Sequence, residues 1–413
     1  MNIKKIYPWI VVGLLWGVAL LNYMDRQMLS TMKDAMQLDI AELQSAANFG
    51  RLMAIFLWIY GFMSPVAGLV ADRINRKWLI VCSLFVWSAV TFGMGYATTF
   101  DQVYWLRALM GVSEALYIPA GLSLIADWHQ DKSRSLAIGI HMTGLYTGQA
   151  IGGFGATVAA AYSWHTTFHW FGIIGIAYAA ILIFFLHENK EHIADKTAQK
   201  TNVQTERSSV LKSLSLLFSN IAFWVILFYF AAPSLPGWAT KNWLPTLFSE
   251  NLSMDMAEAG PMSTITIAIS SFIGVIAGGI LSDKWVQKNI RGRVYTGAIG
   301  LSMTIPALML LGFGHSIVGV VGAGLLFGIG YGIFDANNMP ILCQFVPVNQ
   351  RATAYGIMNM TGVFAGAAVT SLLGKWTDGG NLGLGFAWLS AVVLVAVALQ
   401  LYFLRPKTDN MQS

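Results

Sequence analysis

Charge is what this sequence has least of: 25 Lys plus Arg and 20 Asp plus Glu among 413 residues, or 11%, against about 25% in an ordinary soluble chain. Apolar residues make up 56%, so an aqueous domain of normal size would lack a surface to show water, and a soluble enzyme is excluded. Cysteine is nearly absent, and Cys82 and Cys343 both stand in apolar stretches, which leaves neither a disulfide framework nor a zinc cluster. No P-loop motif occurs either, and Gly328, Gly330 and Gly332 sit in an apolar run with no strand before them. Transport driven by this chain's own ATP hydrolysis is therefore not expected. His165 and His169 have the helical spacing of metal ligands but no third ligand nearby, so no metal is expected.

Long apolar runs fill the rest. They fall near 8–31, 48–71, 78–98, 102–126, 135–162 and 167–187, then 217–248, 261–283, 293–314, 316–345, 352–375 and 382–404. A helix needs about 20 apolar residues to cross a bilayer, so the fold class is all-α integral membrane, with twelve transmembrane helices in two sixes. The first run passes into Asn22-Tyr23-Met24-Asp25-Arg26 with no small-residue cleavage signature, which predicts a retained helix and not a signal peptide. The domains are then a six-helix bundle over 1–187, a polar linker over 188–216 rich in Lys, Glu, Thr and Gln, and a second bundle over 217–413.

With the N-terminus inside, every Lys and Arg except Arg26, Lys33, Arg51, Arg107, Lys241 and Lys375 falls on the inner side. Cytoplasmic loops retain positive charge, so both termini are predicted to be cytoplasmic in a multi-pass protein of the inner (plasma) membrane. The net charge of +5 needs no nucleic acid to explain it. The halves also echo each other. Gly68-Leu69-Val70-Ala71-Asp72-Arg73 has the Gly-to-Asp-to-base spacing of Gly279-Ile280-Leu281-Ser282-Asp283-Lys284, and Arg134 precedes Gly139 as Arg351 precedes Gly356. Such internal repeats mark transporters built around a central site.

The stretch from Gly68 through Asp72 and Arg73 to Arg76 and Lys77 resembles the loop motif between the second and third helices of the major facilitator superfamily. That resemblance covers nearly the whole chain and implies two pseudo-symmetric bundles rocking about a central cavity. It makes Asp72, Arg73, Arg76, Asp283 and Lys284 inner-gate residues, whose pairing would form when that gate is shut. A narrower resemblance is to the anion:cation symporter family, carried by Asn22 to Arg26, Trp58-Ile59-Tyr60, Arg107 to Glu114-Ala115 with Pro119-Ala120, and Gly356-Ile357-Met358-Asn359. It implies carriage of sugar acids or other organic anions with protons or sodium. Val363 stands where family members often have Asn. Spinster-like lipid transporters share an Asp-Arg pair in helix one and a Glu in helix four.

Of the acids, Asp25, Glu114 and Asp335 fall well within the spans. A charge at mid-helix costs about 2.5–3.5 kcal/mol on insertion scales, so such residues are functional candidates by default. Arg107 and Glu114 lie two turns apart on one helix face, roughly 10 Å along the axis, and opposite helix directions put Arg107 at the depth of Asp25 and Arg26. The expectation is one shared cavity in which an Arg holds the substrate carboxylate with its planar fork while Asp25 and Glu114 bind and release protons. The bland alternative is mutual neutralisation as buried ion pairs. Further substrate ligands are expected at Tyr23, Tyr60, Gln149, Asn337, Asn338 and Asn359. Lys241 and Asp335 are the second half's only charged candidates, and that half is expected to read hydroxyls more than carboxylates.

The expected function is secondary active import of a small organic anion, a monocarboxylate sugar acid or similar carboxylate, by proton symport through alternating access, by a monomer in the lipid bilayer, with no cofactor beyond the coupling proton. The alternatives are a lysolipid or drug exporter, whose cavity would be more apolar, and a membrane receptor that binds the same ligand without moving it.

Overall fold

The computed structural model describes residues 3–71, 74–129, 133–189, 218–219, 221–346 and 351–406. Asp72, Arg73 and nearly all of the 188–216 linker lie outside the described residues. The first six spans are Ile3–Thr31, Ala46–Ala71, Arg76–Met94, Phe100–Ala115 continued by Tyr117–Trp128, Arg134–Gly152 continued by Gly155–Ala161, and Trp164–Phe185. The second six are Ile221–Leu252, Met256–Val286, Gly292–Phe313, Ile317–Asp335 continued by Asn338–Phe345, Arg351–Asp378, and Leu382–Phe403.

Eleven of these are long and apolar enough to cross a membrane among the described residues. The exception is the fifth, and its composition explains why. It carries His141, Thr143, Thr147 and Gln149 among Gly144, Gly148 and Gly152, and it is wedged against the first span. A β-carbon at Gly144 or Gly152 would stand 2.7 Å from the carbonyl oxygens of Trp16 and Met24. Small residues at four-residue spacing let two backbones approach this closely, and the Trp16 indole donates to the Thr143 hydroxyl at 2.9 Å across the same seam.

Helix pairing repeats between the halves. The first span packs on the fifth, the second on the fourth and the third on the sixth, while the seventh packs on the eleventh, the eighth on the tenth and the ninth on the twelfth. The two bundles meet where the second span faces the eleventh and the fifth faces the eighth. Prolines break two helices at matching places. Pro119 cannot donate to the carbonyl of Ala115 and Pro340 cannot donate to that of Ala336, and the helices are interrupted at Leu116 and at Ala336–Asn337. Glu114 and Asp335 thereby sit in the last turn before a break.

Among the described residues, the bundles are hydrogen-bonded to each other toward one end and not at the end bearing the termini. On the face away from the termini, Thr157 donates to the carbonyl of Ala257 at 2.6 Å and Thr264 to that of Ala150 at 3.2 Å. There the Asp378 carboxylate, at the end of the eleventh span, accepts from the Ser45 hydroxyl at 2.8 Å and the amides of Ala46 and Ala47 at 2.6 and 3.0 Å. One bundle thus caps the exposed amides that begin a helix of the other. On the face bearing the termini, a β-carbon added at Gly68, Gly139, Gly279 or Gly356 would meet nothing within 4 Å. These four glycines sit on the second, fifth, eighth and eleventh spans, the helices that face each other across the interface.

The Asp378 cap gives a first test. Hydrogen bonds to a charged group contribute about 1.5–3 kcal/mol, so Asp378→Ala should raise opening of the sealed face roughly tenfold or more. The readout is labelling of a cysteine at Thr240, in a background lacking Cys82 and Cys343, by an impermeant maleimide supplied from that face. An unchanged labelling rate would show that the cap carries no part of the seal.

Candidate functional site

The charged residues of the first and fourth spans come together, with Glu114 paired to Arg26. Arg26 Nε donates to Glu114 Oε2 at 2.6 Å, and Asn22 Nδ2 donates to the same oxygen at 3.0 Å. Asn22 and Arg26, one turn apart, share a helix face; Asp25, the neighbour of Arg26, points elsewhere. Asp25 accepts from the Thr91 hydroxyl of the third span at 3.3 Å. Glu114 is fully buried and Asp25 nearly so.

Aromatic rings of the first and second spans hold the Arg26 guanidinium in place. It lies 4.6 Å from the ring centre of Tyr60, 4.9 Å from that of Phe56 and 5.1 Å from that of Tyr23. Arg107 lies against Phe56 as well, at 4.5 Å, and its Nη1 contacts the Met110 sulfur at 2.8 Å. Phe56 therefore stands between two cations, each favoured by a ring face. Asp25 Oδ1, Arg26 Nη2, Arg107 Nε and Glu114 Oε1 are buried without a hydrogen-bond partner among the described residues. Buried polar atoms are nearly always paired, so this cluster holds unmet hydrogen-bonding capacity in mid-span.

A cleft with about 600 Å³ of empty space, open solvent included, adjoins it, walled by Tyr23, Tyr146 and Gln149 with Met142 and Leu145 from the first bundle and by Thr240, Lys241 and Asp335 with Ile267 and Phe327 from the second, among others. Tyr23 belongs to both the cluster and the cavity wall. The Lys241 ammonium lies 4.7 Å from the ring of Trp238 and 5.8 Å from that of Tyr23. Asp335 accepts from Asn338 Nδ2 at 3.1 Å.

Several expected positions differ. Arg107 is 4% exposed, packed on Phe56 and not part of the wall, because its helix phase turns it toward the second span. Arg26 is not in the wall itself but lies against Tyr23, which is, and its side chain keeps 11% exposure between Glu114 and three rings. Asn337 is fully buried outside the cavity wall, and its Nδ2 donates to the carbonyl of Ile333 at 2.8 Å. Asn338 reaches the cavity only through Asp335, and Asn359 is half-buried on the eleventh span, outside the wall. Tyr23 and Gln149 do line it. Sequence does not single out Tyr146, Thr240 or Tyr331, since a hydroxyl at helical spacing is indistinguishable from a packing residue until its neighbours are known.

Among the described gate candidates, pairing stays within one bundle. Arg76 meets the Asp127 carboxylate of the fourth span, and its amide donates to Glu188 at 2.6 Å. Asp283 pairs with Arg293 at 3.3 Å and not with its neighbour Lys284, because successive helical residues diverge. Among the described residues no cluster of metal-ligating side chains occurs.

Comparison with known proteins bears on the same arrangement. The chain is 25% identical to the hexuronate transporter of Bacillus subtilis over 413 residues, covering 96% of this chain and 94% of that one. It is 23% identical to the probable galactarate/D-glucarate transporter GarP of Escherichia coli K12 over 395 residues, 89% and 87% of the two chains. Among solved structures, a bacterial homologue of the human lysosomal transporter Spinster, in an inward-facing and occupied conformation, superposes with a TM-score of 0.79 at 18% identity over 98% of each chain. The Major Facilitator Superfamily model matches residues 15–371. Twelve spans in two repeated bundles, meeting over a cavity of mixed polar and apolar lining with buried charge at its side, are thus those of a transporter, and the chain belongs to the Major Facilitator Superfamily.

Proposed function

We propose that this transporter imports an organic anion, a sugar acid or similar carboxylate, together with protons. The carrying observation is the buried Arg26–Glu114 pair beside a cavity that Lys241 and Asp335 also line. Glu114 occupies only Nε of the guanidinium, while Nη2 has no partner among the described residues. A substrate carboxylate that passes the Tyr23 ring, which stands at the cavity wall against Arg26, can therefore join the same guanidinium. Two carboxylates on one guanidinium repel, and a proton taken up by Glu114 removes the repulsion, so anion and proton favour each other's binding, as reciprocal linkage requires. Asp25, close to the same group of charges, is the second acid of this relay.

With the charges balanced, the bundles can exchange which end is closed. The positive-inside asymmetry makes the face bearing the termini cytoplasmic, in the inner membrane, and the conformation described is then the one closed by bonds at the outer face. Asp72, Arg73 and Asp283 would meet partners across the bundles when the cytoplasmic end shuts. The monomer contains the whole path, and no cofactor beyond the coupling proton is needed.

The likeness to a Spinster homologue supports one competing reading, export of a lysolipid. Lys241, Asp335, Gln149 and Thr240 in the wall favour a small, hydroxylated, charged ligand over an acyl chain. Thermal stabilisation of the purified protein by hexuronate, galactonate and galactarate, set against lysophosphatidylcholine below its micellar concentration, decides between them. Stabilisation by the acids alone is expected; stabilisation by the lysolipid alone would overturn the anion reading.

A further inference from the structure

The second bundle repeats the charged site of the first. Tyr23 and Arg26 form an aromatic-x-x-cation step on the first span, and Trp238 and Lys241 form the same step on the seventh. In each case the cation lies on the ring three residues before it, at 5.1 Å for Arg26 and 4.7 Å for Lys241. On the fourth span Glu114-Ala115 precedes Pro119 by the same interval at which Asp335-Ala336 precedes Pro340 on the tenth, and each acid ends a half-helix broken by its proline. Each acid also accepts from an Asn, Glu114 from Asn22 and Asp335 from Asn338. The first and seventh spans, like the fourth and tenth, hold equivalent places in the two bundles.

The copies differ in one respect. Arg26 is bonded to Glu114, whereas no carboxylate of a described residue lies within 4 Å of the Lys241 ammonium. Lys241 lines the cavity directly, so a ligand carboxylate can reach it without displacing an internal partner. From this we infer that Lys241, with Asp335 beside it, is a second carboxylate site, and that the substrate is a dicarboxylate whose ends are held by Arg26 and Lys241, one from each bundle.

The dimensions agree. The Arg26 guanidinium and the Lys241 ammonium lie 5.1 and 5.8 Å from the centre of the one Tyr23 ring, so the two cations stand no more than about 11 Å apart. An extended six-carbon chain holds its terminal carbons roughly 6 Å apart, and each carboxylate–cation contact adds roughly 2.8 Å, so such a diacid reaches both. Gln149, Thr240 and Tyr146 in the wall can meet hydroxyls along the chain. A ligand held by both bundles also couples them, since closing around it brings the two cations onto one molecule.

This inference rests on the anion reading above, and a matched pair of ligands separates the two. Galactarate and galactonate share a six-carbon polyhydroxy chain and differ in carrying two carboxylates or one. Binding to the purified full-length protein should be at least tenfold tighter for galactarate. Lys241→Gln should cost galactarate tenfold or more and galactonate less than threefold, and Lys241→Arg should restore most of the difference. If Lys241→Gln does not yield monodisperse protein, Asp335→Asn serves instead: removing a negative charge from the wall should tighten galactarate several-fold and leave galactonate nearly unchanged. Wild-type protein that binds galactonate as well as galactarate, or a Lys241→Gln or Asp335→Asn variant that shifts both ligands equally or neither, overturns the second site and leaves the anion reading standing. Binding of neither acid by the wild type overturns both.

Discussion

Glu114→Gln should abolish accumulation of substrate against its gradient while leaving counterflow exchange between equal pools. Gln keeps the shape of the side chain and can still accept from Asn22 and Arg26, as Glu114 does now at 3.0 and 2.6 Å, but it can neither lose nor gain a proton. The transporter is then fixed in the charge state that goes with bound anion. Substrate should bind and cross, and the proton gradient should do no work on it. The expected loss is complete for uphill uptake, measured as radiolabelled acid retained by proteoliposomes under an imposed pH gradient, and less than about threefold for exchange. Asp25→Asn should be milder, because Asp25 bonds to Thr91 and not to an arginine. If Glu114→Gln still concentrates substrate, the acid only holds Arg26 in place and coupling lies elsewhere.

Arg26→Lys should weaken substrate binding by an order of magnitude or more, about 1.4 kcal/mol for each tenfold. Lysine keeps the charge but loses the planar fork that can bond Glu114 through one nitrogen and a ligand through another. It also loses the flat face that lies against Tyr60, Phe56 and Tyr23. Arg107→Lys should cost less, a few-fold, since that guanidinium makes no bond to a carboxylate and packs on Phe56 behind the cavity. Titration of each variant with galactonate measures the difference. Equal losses in the two variants, or none in Arg26→Lys, would remove Arg26 from the binding step.

Helix number and depth are legible in the amino-acid sequence, because each depends on composition along one segment: about twenty apolar residues define a span, and Asp25, Arg26, Arg107 and Glu114 do gather in one region. The interruptions before Pro119 and Pro340 are not legible, since Pro233, Pro236 and Pro245 all lie inside one unbroken helix. Rotational phase is not legible either. Whether Arg107 faces the cavity or Phe56, whether Asp25 meets Arg26 or Thr91, and whether Asn337 faces a ligand or its own backbone all depend on where the neighbouring helix stands, which spacing within one helix does not encode. For Lys241 and Asp335 the sequence does hold a further signal. Glu114-Ala115 before Pro119 and Asp335-Ala336 before Pro340 repeat a five-residue interval, which becomes decisive only once both acids are seen beside the same cavity.

Uptake of labelled galactonate and galactarate into protein-only liposomes, with an inward proton gradient imposed and the membrane potential clamped, tests the coupling most directly. Accumulation of at least one acid above its external concentration, abolished by a protonophore and by Glu114→Gln, with proton influx triggered by substrate when no gradient is imposed, is the expected result. Entry of the acids only to equilibrium, with no proton movement and no response to the protonophore, would contradict proton symport.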